Sequence, residues 1–172
     1  MFILDPHSPL DGLKHYYVTV KEEERFDTLV KILHSFPFKQ CVIYVSSREA
    51  FTKLTQDLPQ FHYRVSGFSE IGPRPPYFRM IYGFCGGRTD ILVTAIVSSA
   101  INIETVSLVI NYEACHPQSY PLRVRCAVHM GKVGVAISKF TDRDAKILKT
   151  IRKAYSLKIH KLPDKFTQTV AC

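Results

Sequence analysis

The stretch Cys41-Val42-Ile43-Tyr44-Val45-Ser46-Ser47-Arg48 decides the fold. Five consecutive apolar residues match a strand buried on both faces, as in a parallel sheet covered by helices on either side. Two serines follow, and then Phe51, Leu54 and Leu58 recur at helical spacing. A buried strand that turns directly into an amphipathic helix is the building unit of an α/β domain.

The same alternation repeats in both directions. His15 to Val20 reads as a strand. Lys21 to Phe36 reads as a helix with Phe26, Leu29, Val30, Leu33 and Phe36 on one face. Its first turn holds Glu22, Glu23 and Glu24, where the helix dipole favours carboxylates, and Pro37 ends it. Phe61 to Ser66, Asp90 to Thr94, Val106 to Tyr112 and Gly134 to Ser138 are further strand runs. Gly72-Pro73-Arg74-Pro75-Pro76 breaks regular structure, and Tyr77 to Phe84 predicts a short helix. Thr141 with Asp144 has capping-box spacing. The helix it opens is expected to bury Ala145, Leu148, Ile151 and Tyr155 and to expose Lys146, Lys149 and Lys153. Together these predict one α/β domain, a mostly parallel sheet with helices on both faces. Ligands on such sheets sit at the carboxyl ends of strands, so the segments after Val45, Ser66, Thr94 and Tyr112 are the places to watch.

Composition narrows the class. With 172 residues, 46% hydrophobic and 22% charged, the chain suits a single globular domain rather than a disordered one. No apolar run approaches the ~20 residues that span a bilayer, so no membrane partner is expected. The start, Met1 to Pro6, lacks the basic region of a signal peptide. Five cysteines, an odd number with no C-x-x-C pair, argue against a disulfide framework and a cysteine zinc site. The expected compartment is the nucleus and/or the cytoplasm. The net charge is +8, and Lys139 to Cys172 carries nine Lys/Arg against three Asp. Such a basic stretch is either an electrostatic footprint for phosphate backbones or a solvated helix face, and charge alone leaves both open.

Self-sufficient catalytic motifs are missing. There is no G-x-x-x-x-G-K-[ST] phosphate loop and no G-x-G-x-x-G. The seven histidines show no metal-ligand spacing. Cys126 and His129 could be imagined as thiol and base, but no orienting group or oxyanion hole accompanies them. No catalytic residue and no metal ligand is assigned.

The order of segments resembles the C-terminal RecA-like lobe of DEAD-box RNA helicases, over about residues 12–165, with 1–11 as a lead-in and 166–172 as a tail. Gly12-Leu13-Lys14-His15-Tyr16-Tyr17-Val18 resembles the entry strand G-L-x-Q-Y-Y-V. Val42 to Arg48 resembles motif IV, and Ile91 to Thr94 the strand entering motif V. Val106 to Glu113 is similar to V-x-x-V-I-N-Y-D, and Gly131 to Ile137 to G-x-x-G-x-A-I. Asp144 to Leu148 and Lys161 to Asp164 are most similar to the nuclear splicing and mRNA-export subgroup. In the family the two arginines of motif VI clamp the transferred phosphate, which can be worth ~10³–10⁵ in rate.

Departures fall on those functional positions. The motif VI arginines align with Cys126 and His129, with Arg123 and Arg125 nearby. The motif V Arg-Gly pair becomes Ser99-Ala100, and the Asp that holds the ribose in the family becomes Asn102. Motif IVa has Ser69-Glu70 for His-Gly and Tyr77 for Arg. The resemblance therefore implies a degenerate lobe, non-catalytic, with no cofactor expected and ATP with magnesium relevant only beside a first lobe. That first lobe, with its phosphate loop and D-E-A-D box, lies outside this sequence, so ATP hydrolysis by the family mechanism is not expected of it. Candidate contacts to single-stranded RNA are Ser46, Ser47, Arg48, Gly67 and Thr94. Ser46 and Ser47 serve equally well on paper as helix caps. Other expected partners are RNP or mRNA-processing proteins and a helicase first lobe. A scaffold without RNA binding, anchored by Gly72–Pro76, Tyr77, Phe78 and Tyr82, is the alternative. So is one lobe of an active helicase with Arg125 restoring the clamp.

Overall fold

The computed structural model describes residues 10–68, 82–97, 103–129 and 132–163. Its centre is a seven-stranded sheet in the order β3-β4-β2-β5-β6-β1-β7. The strands are β1 (Leu13–Thr19), β2 (Gln40–Tyr44), β3 (Val65–Phe68), β4 (Ile91–Thr94), β5 (Val106–Asn111), β6 (Gly134–Phe140) and β7 (Ile159–Lys161). Every strand pair is parallel, so the sheet is wholly rather than mostly parallel. Four strands, β2, β4, β5 and β6, form its middle and are apolar almost throughout, because helices cover both of their faces.

Two apolar layers result. On one face α1 (Arg25–Ser35) and α2 (Arg48–Asp57) bury Leu29, Ile32, Leu33, Ala50 and Leu54 against Ile43, Val93 and Ile110. On the other, α3 (Tyr120–Val124) and α4 (Ala145–Tyr155) bury Tyr120, Val124, Leu148 and Ile151 against Val42, Leu92, Val109 and Ala136. The alternation of side chains along each strand feeds the two layers in turn.

Local chemistry fixes the junctions. Ser47 is extended and its hydroxyl accepts from the Ala50 amide at 3.1 Å, so it caps α2. Thr141 and Asp144 form the expected capping box, which opens first a 3₁₀ turn and then α4. Gly134, at the start of β6, is held by contact: a Cβ there would meet the Ala127 carbonyl oxygen at 2.1 Å and Leu13 Cδ2 at 2.6 Å.

Several expectations need correction. The strand expected from Phe61 begins at Val65, because residues 58–61 close a 3₁₀ turn and His62 is left-handed at φ 66°. The helix expected from Lys21 starts as a 3₁₀ turn, with α1 proper from Arg25; Phe26 is only half-buried, while Arg25 is buried. Ala145 is exposed rather than inward, since the α4 stripe centres on Leu148 and Ile151. Strand β6 runs on through Lys139 to Phe140. The sequence pattern does not predict β7: its three residues carry no apolar run, and it exists by pairing with β1. Of the short helix expected over Tyr77 to Phe84, residues 82–85 are helical; the Pro-rich segment, Tyr77 and Phe78 lie outside the described residues.

Candidate functional site

The carboxyl ends of β2, β5 and β6 meet in a polar network. Asn111, the last residue of β5, is buried and donates from Nδ2 to Ser138 Oγ on β6 at 3.0 Å. Its Oδ1 faces Arg123 Nη1 at 3.4 Å. The Arg123 guanidinium also reaches Ser46 Oγ at 3.4 Å and lies over the Tyr44 ring, 5.2 Å from its centroid. Arg123 is only 6% exposed, and its Nε has no hydrogen-bond partner among the described residues. It therefore ties β5, the end of β2 and α3 together from inside the sheet edge.

Glu113, two residues past β5, closes the network from the outer side. Its carboxylate accepts from the Ser46 amide at 2.5 Å, the Ser47 amide at 2.9 Å and the Ser47 hydroxyl at 2.8 Å. Amides at a helix N-terminus are a ready place for an anion, and here the chain supplies its own.

The candidate RNA residues divide accordingly. Ser46 and Arg48 are exposed at the sheet edge, and Ser47 is half-buried with its amide and hydroxyl engaged. Thr94 is fully buried, exchanging hydrogen bonds with the Ile96 backbone, and presents no group outward. Gly67 packs under α2: a Cβ there would meet Thr55 Cγ2 at 2.6 Å and Phe51 Cζ at 2.9 Å. Its smallness thus has a packing cause. Ser46, Ser47 and Arg48 share one turn, while Gly67 and Thr94 lie within β3 and β4.

The nucleotide-interface positions do not assemble into a phosphate clamp. Cys126 is 5% exposed; its Sγ donates to the Arg123 carbonyl at 3.1 Å and lies 3.9 Å from Tyr44 Oη. Burial pushes this thiol up to about 12. Burial, reinforced by Cys126, also raises the Tyr44 phenol. His129 is half-buried, its Nε2 3.1 Å from the Val106 carbonyl at the amino end of β5. That is the opposite end of the sheet from Ser46. Arg123 is buried as described, and Arg125 alone of the four is exposed. Asn102 lies outside the described residues, as do Ser69, Glu70, Ser99 and Ala100.

A second buried cluster sits between α1 and the ends of β5 and β6. Arg25 forms a two-pronged pair with Glu22, at 2.9 Å and 2.8 Å, and donates to the Tyr112 carbonyl at 2.6 Å. Lys139 is fully buried, donates to the Arg25 carbonyl and lies 4.5 Å from the Tyr112 ring centroid. Desolvation by burial, with the Arg25 charge second, lowers the Lys139 amine to about 6. The amine is then largely neutral at pH 7, so its ring contact is that of an N–H donor. Lys139 does not belong to the basic surface that its place in the sequence suggested. The sequence alone assigns no role to Glu113, Arg25 or Lys139. The signals were a lone lysine inside an apolar strand and an acid directly after the β5 run.

No family model matches the chain. It is 31% identical over 159 residues to the probable eukaryotic initiation factor 4A of Trypanosoma cruzi, covering 91% of this chain and 39% of that protein. It is 34% identical over 157 residues to ATP-dependent RNA helicase FAL1 of Candida glabrata, covering 90% of this chain and 39% of that protein. The chain thus spans about two fifths of the length of the curated relatives it matches. Among solved structures, the Dbp5 C-terminal domain of S. cerevisiae bound to Gle1 and IP6 superposes with a TM-score of 0.82 at 27% identity. That match covers 90% of this chain and 92% of that domain. S. cerevisiae Dbp5 bound to RNA and ADP BeF3 gives a TM-score of 0.82 at 26% identity, over 92% of this chain and 43% of that one. A wholly parallel seven-stranded sheet, sequence similarity over about 90% of the chain and a shared fold agree: the chain is a divergent homologue of the C-terminal RecA-like lobe of DEAD-box helicases.

Proposed function

We propose that the chain is a non-catalytic RNA- and protein-binding module of RNA metabolism, in mRNA processing, export or RNP assembly, acting in the nucleus and/or the cytoplasm. The observation that carries this reading is Cys126. It stands where the family places a phosphate-clamping arginine, yet it is buried and bonded to the Arg123 carbonyl. The scaffold around it is intact, and Ser46 and Arg48 stay exposed at the carboxyl edge. RNA binding there is weak, sequence-independent and salt-sensitive. One related structure holds RNA and others hold Gle1, which supports RNA and protein as the classes of partner. No helix among the described residues is long and apolar enough to cross a membrane.

The test is a pair of measurements on this chain, alone and mixed with a helicase first lobe. Single-stranded RNA binding is followed by anisotropy, and RNA-stimulated ATP hydrolysis by phosphate release. Binding without added hydrolysis is expected. Hydrolysis that falls on changing Arg125 would establish the active-helicase alternative, because Arg125 is the exposed guanidinium of the motif VI region. Absence of RNA binding at low salt, with RNP proteins still captured after nuclease treatment, would favour the scaffold.

A further inference from the structure

The surplus charge of this chain is concentrated in one stretch, from the turn before α4 to β7. Arg143, Lys146, Lys149, Lys153, Lys158 and Lys161 are all exposed, on the turn before α4, on α4 itself, just before β7 and at its last residue. None forms a salt bridge among the described residues, and Asp142 is the one exposed acid described between residues 141 and 163. Other helices are balanced. α2 sets Lys53 against Asp57 at 2.8 Å and carries Glu49 beside Arg48. α1 follows three glutamates. Solubility does not require the imbalance on α4, because mixed charges provide it elsewhere.

We infer that this stretch is a second binding surface, which takes the phosphodiester backbone of single-stranded RNA. Lys146, Lys149 and Lys153 lie on the side of α4 opposite Leu148 and Ile151, and span about 10 Å along the axis. None of the exposed large hydrophobics among the described residues, which are Phe61, Tyr82, Leu122 and Val133, lies on α4 or β7. Protein interfaces are anchored by buried aromatic or aliphatic side chains, whereas a phosphate strand needs only cations. The occupant that fits a charged, unanchored stripe is therefore a nucleic-acid strand, not an acidic protein. The position is also suitable. α4 begins directly after β6, whose carboxyl end neighbours that of β5 and is two strand spacings, roughly 10 Å, from that of β2. A strand held near Ser46 and Arg48 reaches Arg143 and Lys146 next. The surface rests on the RNA-binding reading above but not on its residues.

The experiment compares the wild-type chain, the variant K146E/K149E/K153E, the variant K158E/K161E and the variant R48E. Anisotropy of a labelled single-stranded RNA is titrated between 50 and 200 mM salt, settings of about the range over which phosphate contacts are resolved. The α4 variant is expected to lose at least about tenfold in affinity, with the log–log salt slope shallower by about 2, at roughly 0.7 per lost contact. The β7 variant, with its charges on a different element, is expected to lose less in the same direction. It keeps the test valid if the α4 variant does not melt cooperatively. Unchanged affinity and slope in the folded α4 and β7 variants would overturn the proposal. So would competition by polyglutamate as effective as competition by unlabelled RNA at equal charge, which would make the surface an acidic-protein site. Loss in R48E alone would retain the carboxyl-edge reading and reject this one. Loss in the α4 variant alone would do the reverse, and no RNA binding by any form rejects both.

Discussion

Glu113 grips Ser47 twice, through the amide at 2.9 Å and through the hydroxyl at 2.8 Å, so the loop after β5 is tied to the first turn of α2. The acid also takes the Ser46 amide. Charge-assisted bonds at a helix N-terminus are stronger than neutral ones. E113A is therefore expected to destabilise the fold by about 1–3 kcal/mol, read as a lower urea midpoint with an unchanged slope. E113Q, which keeps one acceptor oxygen but no charge, falls between. An unchanged midpoint in E113A would mean that the carboxylate does not hold this junction.

The Lys139 amine gives a pH dependence with a definite sign. Its folded value, about 6, lies below its ordinary value of 10.5. Between those values the unfolded chain carries a proton that the folded chain lacks, so this group makes stability rise with pH across the window. Below about pH 6 the folded chain also binds the proton and bears the full cost of a buried charge beside Arg25. K139M should be more stable than wild type at pH 6, and its stability should vary less from pH 6 to 9. Parallel curves for the two proteins, from urea melts at each pH, would contradict the assignment.

Replacing Gly134 by alanine tests the close approach of β6 to residues 125–127. The obstacle is the backbone oxygen of Ala127, which cannot rotate away as a side chain can. G134A is expected to cost at least about 3 kcal/mol, the upper end of overpacking effects. A thermal melt within a degree of wild type would disprove the contact.

Arginine cannot simply be put back at position 126. The Cys126 side chain is enclosed by Tyr44 and the Arg123 carbonyl, so C126R forces a second guanidinium beside Arg123 or opens α3. An unpaired charge left in the interior typically costs several kcal/mol, about 3–5 where one partner of a buried pair is removed. C126R/H129R is expected to melt earlier than wild type and to gain no ATP hydrolysis with a first lobe present. Recovered hydrolysis would show that the clamp geometry had survived the substitutions.

What the sequence disclosed follows from the range of each interaction. The Thr141–Asp144 cap was legible because both partners lie within four residues and the spacing is the mechanism. The buried strands were legible because a run such as Val106–Asn111 has few other uses. The fate of Lys139 was not, since its partner Arg25 stands 114 residues earlier, and only the fold brings a lysine inside a strand under α1. Glu113 matches a motif position, but its role is not legible in the sequence, because the amides it holds are 66 and 67 residues away. Gly67 and Thr94 pointed to RNA by position in a motif, whereas their surroundings give each a packing or turn-forming task. Of the two uses open to Ser47, capping is the one its hydrogen bonds display.

The last strand, β7, is only three residues long, and His160 and Lys161 point to solvent from it. A border this short and this positively charged is a poor template for another chain to add a strand. Two copies meeting along that border repel before their backbones can register, which guards against fibril growth from that side.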